Sequence, residues 1–339
     1  MSIKNQNWIA LTSIQIGGAI CLPVLLIGFE LAKGFGLTSA LYAIVIGNAL
    51  LFSFSLIGAK MSAASEMTTA ENAESLLGKR VKAIFAIVLV LSMCLWFAIQ
   101  AQLMATDLLM WTSFGSEQVI AFCISLFITA CAMRGIKSIE ILSNVAVPLM
   151  VVTMLIAIAT GDAQVQTDTL SFSGISLVLA ASIAAVVDMP TFFRHAKNEK
   201  HAVKASFATF MIGIPVVEAL GALLFYKTDA PSLINALYCF DHTLWKGWIL
   251  AFILLAGWTT NNANLYSASM SIKALFPKLS DKAAIALLGL IASLLAFCNI
   301  VGNLDLFLDV MAMIIISMGS VVFSAYLLKR NKCSLQKIH

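Results

Sequence analysis

The sequence predicts an all-α, polytopic membrane protein of about ten transmembrane helices in two inverted five-helix repeats, and three observations lead there. First, 60% of its 339 residues are hydrophobic and only 11% are charged. A soluble protein carries roughly a quarter charged residues, so this chain cannot cover a water-facing surface of its own size. Second, the apolar residues gather into ten runs, at 8–32, 38–59, 81–111, 118–133, 139–160, 174–190, 202–226, 246–275, 283–300 and 304–328. Most approach the roughly 20 residues that cross a bilayer as helix. Third, with the N-terminus inside, 18 of the 21 Lys and Arg residues fall on one face, against Lys33, Lys227 and Lys246 on the other. Cytoplasmic loops retain positive charge in this way. The expectation is a multi-pass protein of the plasma (inner) membrane with both termini cytoplasmic.

Span 1 follows a lone Lys4 and starts at Trp8 with no A-x-A-like cleavage site, so it reads as a retained span and not as a signal peptide. Within SIQIGGAICLPVLL it holds Gly17, Gly18 and Pro23, the pattern of an interrupted helix lining a site. Close packing through glycine is the plainer alternative. Span 3 carries Trp96 and Gln100 at i and i+4, on one helix face. An indole offers a flat stacking surface and an amide offers a paired donor and acceptor, which together suit a planar, amide-bearing ring. Trp8, Trp111, Trp245 and Trp248 lie near span ends, where tryptophan anchors at the interface.

After spans 4 and 5 the polar segment GDAQVQTDTLSFSG, Gly161 to Gly174, divides five spans from five. An odd number per half forces opposite topology, so residues 1–165 and 166–339 are read as two inverted repeats of one integral unit. Span 6 holds the small run Ala180, Ala181, Ser182, Ala184 and Ala185 before Pro190, either a second interruption or a helix that ends at the proline. Asp188 near its inner end is expected to gate or anchor the following loop with Arg194 as partner. Span 7 contains Glu218; a charged, unpaired acid at the bilayer centre costs roughly 2.5–3.5 kcal/mol, so it is either a proton-coupling group or half of a structural pair. Glu30, Asp107, Asp305 and Asp309 sit toward span ends and are read as solvated or paired.

Span 8 is the most polar, with Trp258, Thr259, Thr260, Asn261, Asn262, Asn264, Tyr266, Ser267 and Ser269 in an otherwise apolar run. Lipid satisfies no amide. The cluster therefore either braces neighbouring helices or walls a cavity, offering hydroxyl oxygens to a hard cation and amides to a polar ligand. The seven cysteines include no C-x-x-C pair and read as packing residues, and the four histidines lie in loops or the tail as ordinary surface residues. There is no H-E-x-x-H, P-loop or G-x-S-x-G motif, which leaves no enzyme reading and excludes ATP-driven transport by this chain alone. A net charge of +4 is accounted for by topology, not by nucleic acid. No cofactor is expected, and the protein is read as a monomer or weak oligomer.

The run Trp258–Ser267 (WTTNNANLYS) resembles the span 8 signature of the nucleobase:cation symporter family, which includes cytosine permeases and a hydantoin transporter. ALTSIQIGG in span 1, VIGNALL and IGAK in span 2, and FFRHAKNEKHAVKASF after span 6 agree with it. The similarity covers all ten spans; members often have twelve. It implies alternating access with a substrate site between spans 1, 3, 6 and 8. Trp96 would stack on the ring and Gln100 would hydrogen-bond it, with Cys21, Ser182, Asn261, Asn262 and Asn264 completing the candidate lining. Carbonyls near Gly17 and Ile20 with the hydroxyls of Thr259 and Thr260 would hold Na+, as the broken helix and threonine pair suggest independently. Some positions depart. Ala256 stands where cytosine permeases have Asn, and the family's D-[FY]-x-R-[FY] becomes Thr191-Phe192-Phe193-Arg194-His195 with Asp188 one turn earlier. The small run Ser182 to Ala185 replaces a span 6 aromatic.

The leading expectation is import of a small neutral heterocycle (purine, pyrimidine, hydantoin, allantoin or thiamine precursor) with Na+, or with H+ as the alternative coupling ion. Two other readings stand beside it: a proton-coupled amino-acid or amine carrier of the same fold, which would need a titratable residue such as Glu218, and a transport-silent membrane sensor or assembly subunit.

Overall fold

The computed structural model describes residues 6–19, 22–112, 115–133, 148–149, 151–159, 171–238, 240–298 and 304–335. Among them the chain is helical, without strands beyond one isolated parallel bridge between Gln6 and Ala196. Five helices are long and apolar enough to cross a membrane: 37–65, 79–111, 174–193, 199–228 and 309–330. The pair Trp8–Gly18 and Leu22–Phe35, meeting at 66°, makes a sixth. The other sequence-predicted spans are carried on shorter, more polar or partly described helices: Glu117–Ala132, 151–159, Thr243–Leu275 and Asp281–Phe297. Large apolar side chains such as Ile84, Ile87 and Leu91 stay about half exposed along one side of span 3, as a helix facing hydrocarbon requires.

Span 1 is interrupted as expected, into the half-helices Trp8–Ala19 (1a) and Leu22–Phe35 (1b). Span 6 is not interrupted at its small residues. Ala180–Ala185 lie within the helix Gly174–Val187, and the chain pauses only at Asp188 before Met189–Phe193. Alanine is the strongest helix former, and Pro190 sits in the first turn of the following helix, where its missing N–H loses no intrahelical bond.

Two local features escape the apolar pattern. A short helix, Thr69–Leu77, lies between spans 2 and 3 and is started by a capping box. Glu71 N–H donates to the Thr68 hydroxyl at 3.3 Å, and Thr68 N–H donates to Glu71 Oε2 at 2.8 Å; Gly78, at φ 94°, ends it. Span 7 is three pieces: Glu199–Phe207, a π turn Ala208–Gly213, and Ile214–Thr228. The wider turn immediately precedes Pro215, whose ring would otherwise meet the carbonyl one turn back.

Among the described helices the most closely packed pairs are 1b with 7, 2 with 6, 3 with 8, and 4 with 9. Glycine sets the spacing of the first: a Cβ on Gly28 would sit 1.8 Å from the Glu218 carbonyl oxygen, and one on Gly221 2.1 Å from that of Leu25. Residues of spans 1, 3, 6 and 8 line a common cavity.

Candidate functional site

A cavity opens where the two halves of span 1 meet spans 3, 6 and 8. Gln15 and Gly18 of 1a, Pro23 and Val24 of 1b, Met93, Trp96 and Gln100 of span 3, Ser182 and Asp188 of span 6, and Thr260 and Asn264 of span 8 are among its walls. Phe192, from the short helix after Asp188, adds a second aromatic ring, tilted against Tyr266 with centroids 5.7 Å apart. Among the described residues, no lysine, arginine or histidine lines the cavity.

Gln100 is fully buried, and neither its amide nitrogen nor its amide oxygen has a hydrogen-bond partner. Buried polar atoms are nearly always paired, since an orphan costs ~1–3 kcal/mol. An amide with both ends open on a cavity wall, one turn from an indole, is a receptor for a donor–acceptor edge. Gln15 has the same character by half: its Nε2 donates to the Ala185 carbonyl at 3.1 Å, which ties span 1 to span 6, and its Oε1 is unpartnered. Gln15 had no role assigned from sequence. Its separation of three from Gly18 puts it on the same helix face, and that was the available signal.

Span 8 divides its polar residues by face. Thr260, Ala263 and Asn264 reach the cavity. Asn261 turns the other way and donates to the Phe97 carbonyl at 3.1 Å, while Asn264 Nδ2 donates to Asn261 Oδ1 at 3.3 Å. Asn261 is thus a brace between spans 8 and 3 and not a wall of the cavity. Asn262, buried with Oδ1 unpartnered, also lies off the lining. Thr259 and Thr260 both donate their hydroxyl protons to the Ala256 carbonyl, at 2.7 and 3.2 Å. Each oxygen keeps its lone pairs, as a ligand for a hard cation must. Of the other expected cation and ligand positions, Gly17 is buried in 1a near the cavity wall, and Ile20 and Cys21 lie outside the described residues.

Asp188 makes no ion pair within 4.0 Å with Arg194 among the described residues, although the guanidinium is near enough to act on it electrostatically. Its carboxylate accepts from the hydroxyls of Ser267 and, at 2.6 Å, Thr191, and Thr69 Oγ1 donates to the neighbouring Val187 carbonyl at 3.3 Å. Span 6 is thereby tied to span 8 and to the short helix after span 2. Arg194 instead donates from Nη2 to the Tyr266 hydroxyl and the Met270 sulfur, both at 3.4 Å, and from Nε to His195 Nε2 at 3.1 Å. Partial burial and the Arg194 guanidinium hold the His195 imidazole below its usual range, which keeps that nitrogen an acceptor. Nor is His201 a free surface group, because its Nδ1 accepts from the Trp8 N–H at 3.0 Å. Beside it, Gln6 N–H donates to the His195 carbonyl at 3.1 Å and Lys197 N–H to the Gln6 carbonyl at 2.9 Å. The segment entering span 1 is thus stitched to the loop leaving span 6. Asp107 is paired, accepting from the Tyr238 hydroxyl at 2.6 Å. Glu218 lies outside the cavity, between 1b and span 2.

Residues 2–336 match the family of permeases for cytosine/purines, uracil, thiamine and allantoin. A cytosine permease of Escherichia coli (strain K12) is 23% identical over 343 residues, covering 96% of this chain and 78% of that protein. Among solved structures, Mhp1, a nucleobase-cation-symport-1 family transporter in a closed conformation with bromovinylhydantoin bound, matches with a TM-score of 0.82 at 19% identity, over 97% of this chain and 79% of its own. A Na+-coupled sialic acid symporter in a substrate-bound, outward-open state matches at 0.66 and 14% identity, over 96% and 78%. At such identities the structural likeness establishes a common fold.

Proposed function

The chain belongs to the family of permeases for cytosine/purines, uracil, thiamine and allantoin, and on that premise we propose that it imports a neutral, planar nucleobase or related heterocycle together with Na+. It is a multi-pass membrane permease and not an enzyme. In the proposed complex the ring stacks on Trp96, and its amide-like edge pairs with Gln100, acceptor to Nε2 and donor to Oε1. Gln15 Oε1 and Asn264 bound the remaining edge. The observation that carries this reading is the Gln100 amide, buried with both ends unpartnered on the cavity wall. A neutral ligand is favoured because, among the described residues, the cavity has no cationic side chain and one carboxylate, Asp188, which is already engaged by two hydroxyls.

Na+ would be held by the hydroxyl oxygens of Thr259 and Thr260 and by carbonyls near Gly17 and Ile20, at the point where span 1 breaks. Transport would proceed by alternating access between the halves 1–165 and 166–339. Support for the repeat comes from the packing: shifting each span number by five turns the 1–7 contact into the 6–2 contact and returns 3–8 and 4–9 to themselves. The test is radiolabelled uptake of cytosine, uracil, hypoxanthine, allantoin and a hydantoin into proteoliposomes. One of them should accumulate against a gradient only with inward sodium. Uptake indifferent to sodium would overturn the coupling, and no uptake of any of them would overturn the substrate class.

A further inference from the structure

Away from the cavity, spans 1b, 2 and 7 enclose a second polar site made of two side chains. Glu218 is fully buried and Asn48 nearly so. Asn48 Nδ2 donates both its protons, to the Ile44 carbonyl at 2.9 Å and to Glu218 Oε2 at 2.5 Å. A carbonyl can only accept, so the Ile44 contact fixes which end of the Asn48 amide is nitrogen. That leaves two buried oxygens without any donor, Asn48 Oδ1 and Glu218 Oε1. A single added proton supplies what both lack: on Oε1 it makes the carboxyl a donor, and the amide oxygen is the acceptor.

We infer that Glu218 and Asn48 form a proton-binding site, a carboxylic acid doubly hydrogen-bonded to a carboxamide, whose occupancy ties span 2 to span 7 at the place where the Glu218 backbone packs on half-helix 1b. No other charge does this work. Half-helix 1b carries Glu30 and Lys33, which pair with each other at 3.8 Å. Span 2 carries Tyr42 and Lys60, the outer part of span 7 Tyr226 and Lys227, and the segment after it Asp229 and Tyr238. Among the described residues, none of these cations is within 4.0 Å of the Glu218 carboxyl. The tie acts on the cavity wall because the helix that meets the Glu218 backbone at Gly28 also presents Pro23 and Val24 to the cavity. An ionised carboxylate would place a bare charge and two unsatisfied oxygens in a buried site within the spans, where lipid offers no partner.

This site does not depend on which ligand the cavity takes, so its test needs none. Infrared spectra of the purified transporter in lipid should contain a hydrogen-bonded carboxylic C=O band near neutral pH that is missing in Glu218→Gln and is lost once the carboxyl is deprotonated in alkaline buffer. The Glu218→Gln amide can make the same two hydrogen bonds without a proton. Its melting temperature should therefore depend less on alkaline pH than that of the parent, which also loses the stabilisation of the protonated carboxyl as that group ionises. Equal pH slopes, or a neutral-pH spectrum unchanged by the substitution, would overturn the inference. Should Glu218→Gln not fold, Asn48→Ala decides: the carboxylic band must shift to the position of an acid without its amide partner, and an unshifted band overturns the proposal.

Discussion

At the scale of single residues, the cavity separates side chains that the sequence groups together. Trp96 and Gln100 are legible in advance, because a spacing of four on a helix puts two chemically matched groups on one face. The asparagines of span 8 are not, because neighbours on a helix diverge by about 100° and only a structure says which direction is the cavity. Asn264 faces it, and Asn261 faces span 3. Replacing Asn261 by leucine tests the bracing role. Asn261→Leu removes a buried interhelical hydrogen bond and should lower stability by about 1 kcal/mol, read as melting temperature, with little change in substrate affinity. Gln100→Ala should leave the melting temperature of the ligand-free protein unchanged or raised, since it deletes two orphaned atoms. It should weaken substrate binding by about tenfold or more, the loss of one or two hydrogen bonds to a desolvated ligand. If Gln100→Ala binds as tightly as the parent, the amide is not the receptor. Thr259→Val keeps shape and removes the oxygen. The sodium concentration giving half-maximal uptake should rise about tenfold while the substrate constant at saturating sodium stays near that of the parent.

At the scale of elements, the break in span 1 is read from Gly17, Gly18 and Pro23, whereas the one expected in span 6 is absent. Small residues permit a break but do not impose one, and Ala180–Ala185 are better helix formers than the glycines of span 1. The π turn of span 7 has no composition signal beyond Pro215, and the short helix Thr69–Leu77 is too brief and polar for an apolar-run search, though its capping box was written in Thr68 and Glu71. What holds the elements together is likewise invisible in composition, since glycines that pass helices closely look like any others. Gly28 and Gly221 lie against backbone carbonyls, at 1.8 and 2.1 Å from where a Cβ would be, while the Gly257 Cβ position is 2.2 Å from the Met104 sulfur. A backbone cannot move aside and a methionine side chain can. Gly28→Ala or Gly221→Ala should therefore destabilise by about 3 kcal/mol or more, at or above the upper end of overpacking effects. Gly257→Ala should cost clearly less. Thermal unfolding in a single detergent gives the ranking, and equal losses at Gly221 and Gly257 would refute the close backbone crossing of 1b and 7.

At the scale of the whole molecule, the membrane class followed from charge scarcity because that is a property of the entire surface, and the expectation of five-plus-five organisation came from a polar midpoint. Which helices touch did not, since pairs such as 1b with 7 are about 190 residues apart in sequence, Gly28 against Glu218. The packing pattern makes one demand of the proposed cycle. If the halves rock about a shared site, the contacts that close one side of the cavity must part once per turnover. On the side of the N-terminus those contacts are concrete: the parallel bridge of Gln6 with Ala196, and the Trp8 N–H held by His201. Paired strands run about 4.7–4.9 Å apart, within the Cα separation of about 4.4–6.8 Å that a disulfide spans. Gln6→Cys with Ala196→Cys, in a background lacking the seven native cysteines, should cross-link on mild oxidation. The oxidised transporter should lose at least about tenfold in uptake rate, retain substrate-induced thermal stabilisation, and recover when reduced. Loss of transport with retained binding locates the defect in opening and not in the site. Unchanged uptake by fully cross-linked protein would mean that this seam never opens, and alternating access through it would have to be abandoned.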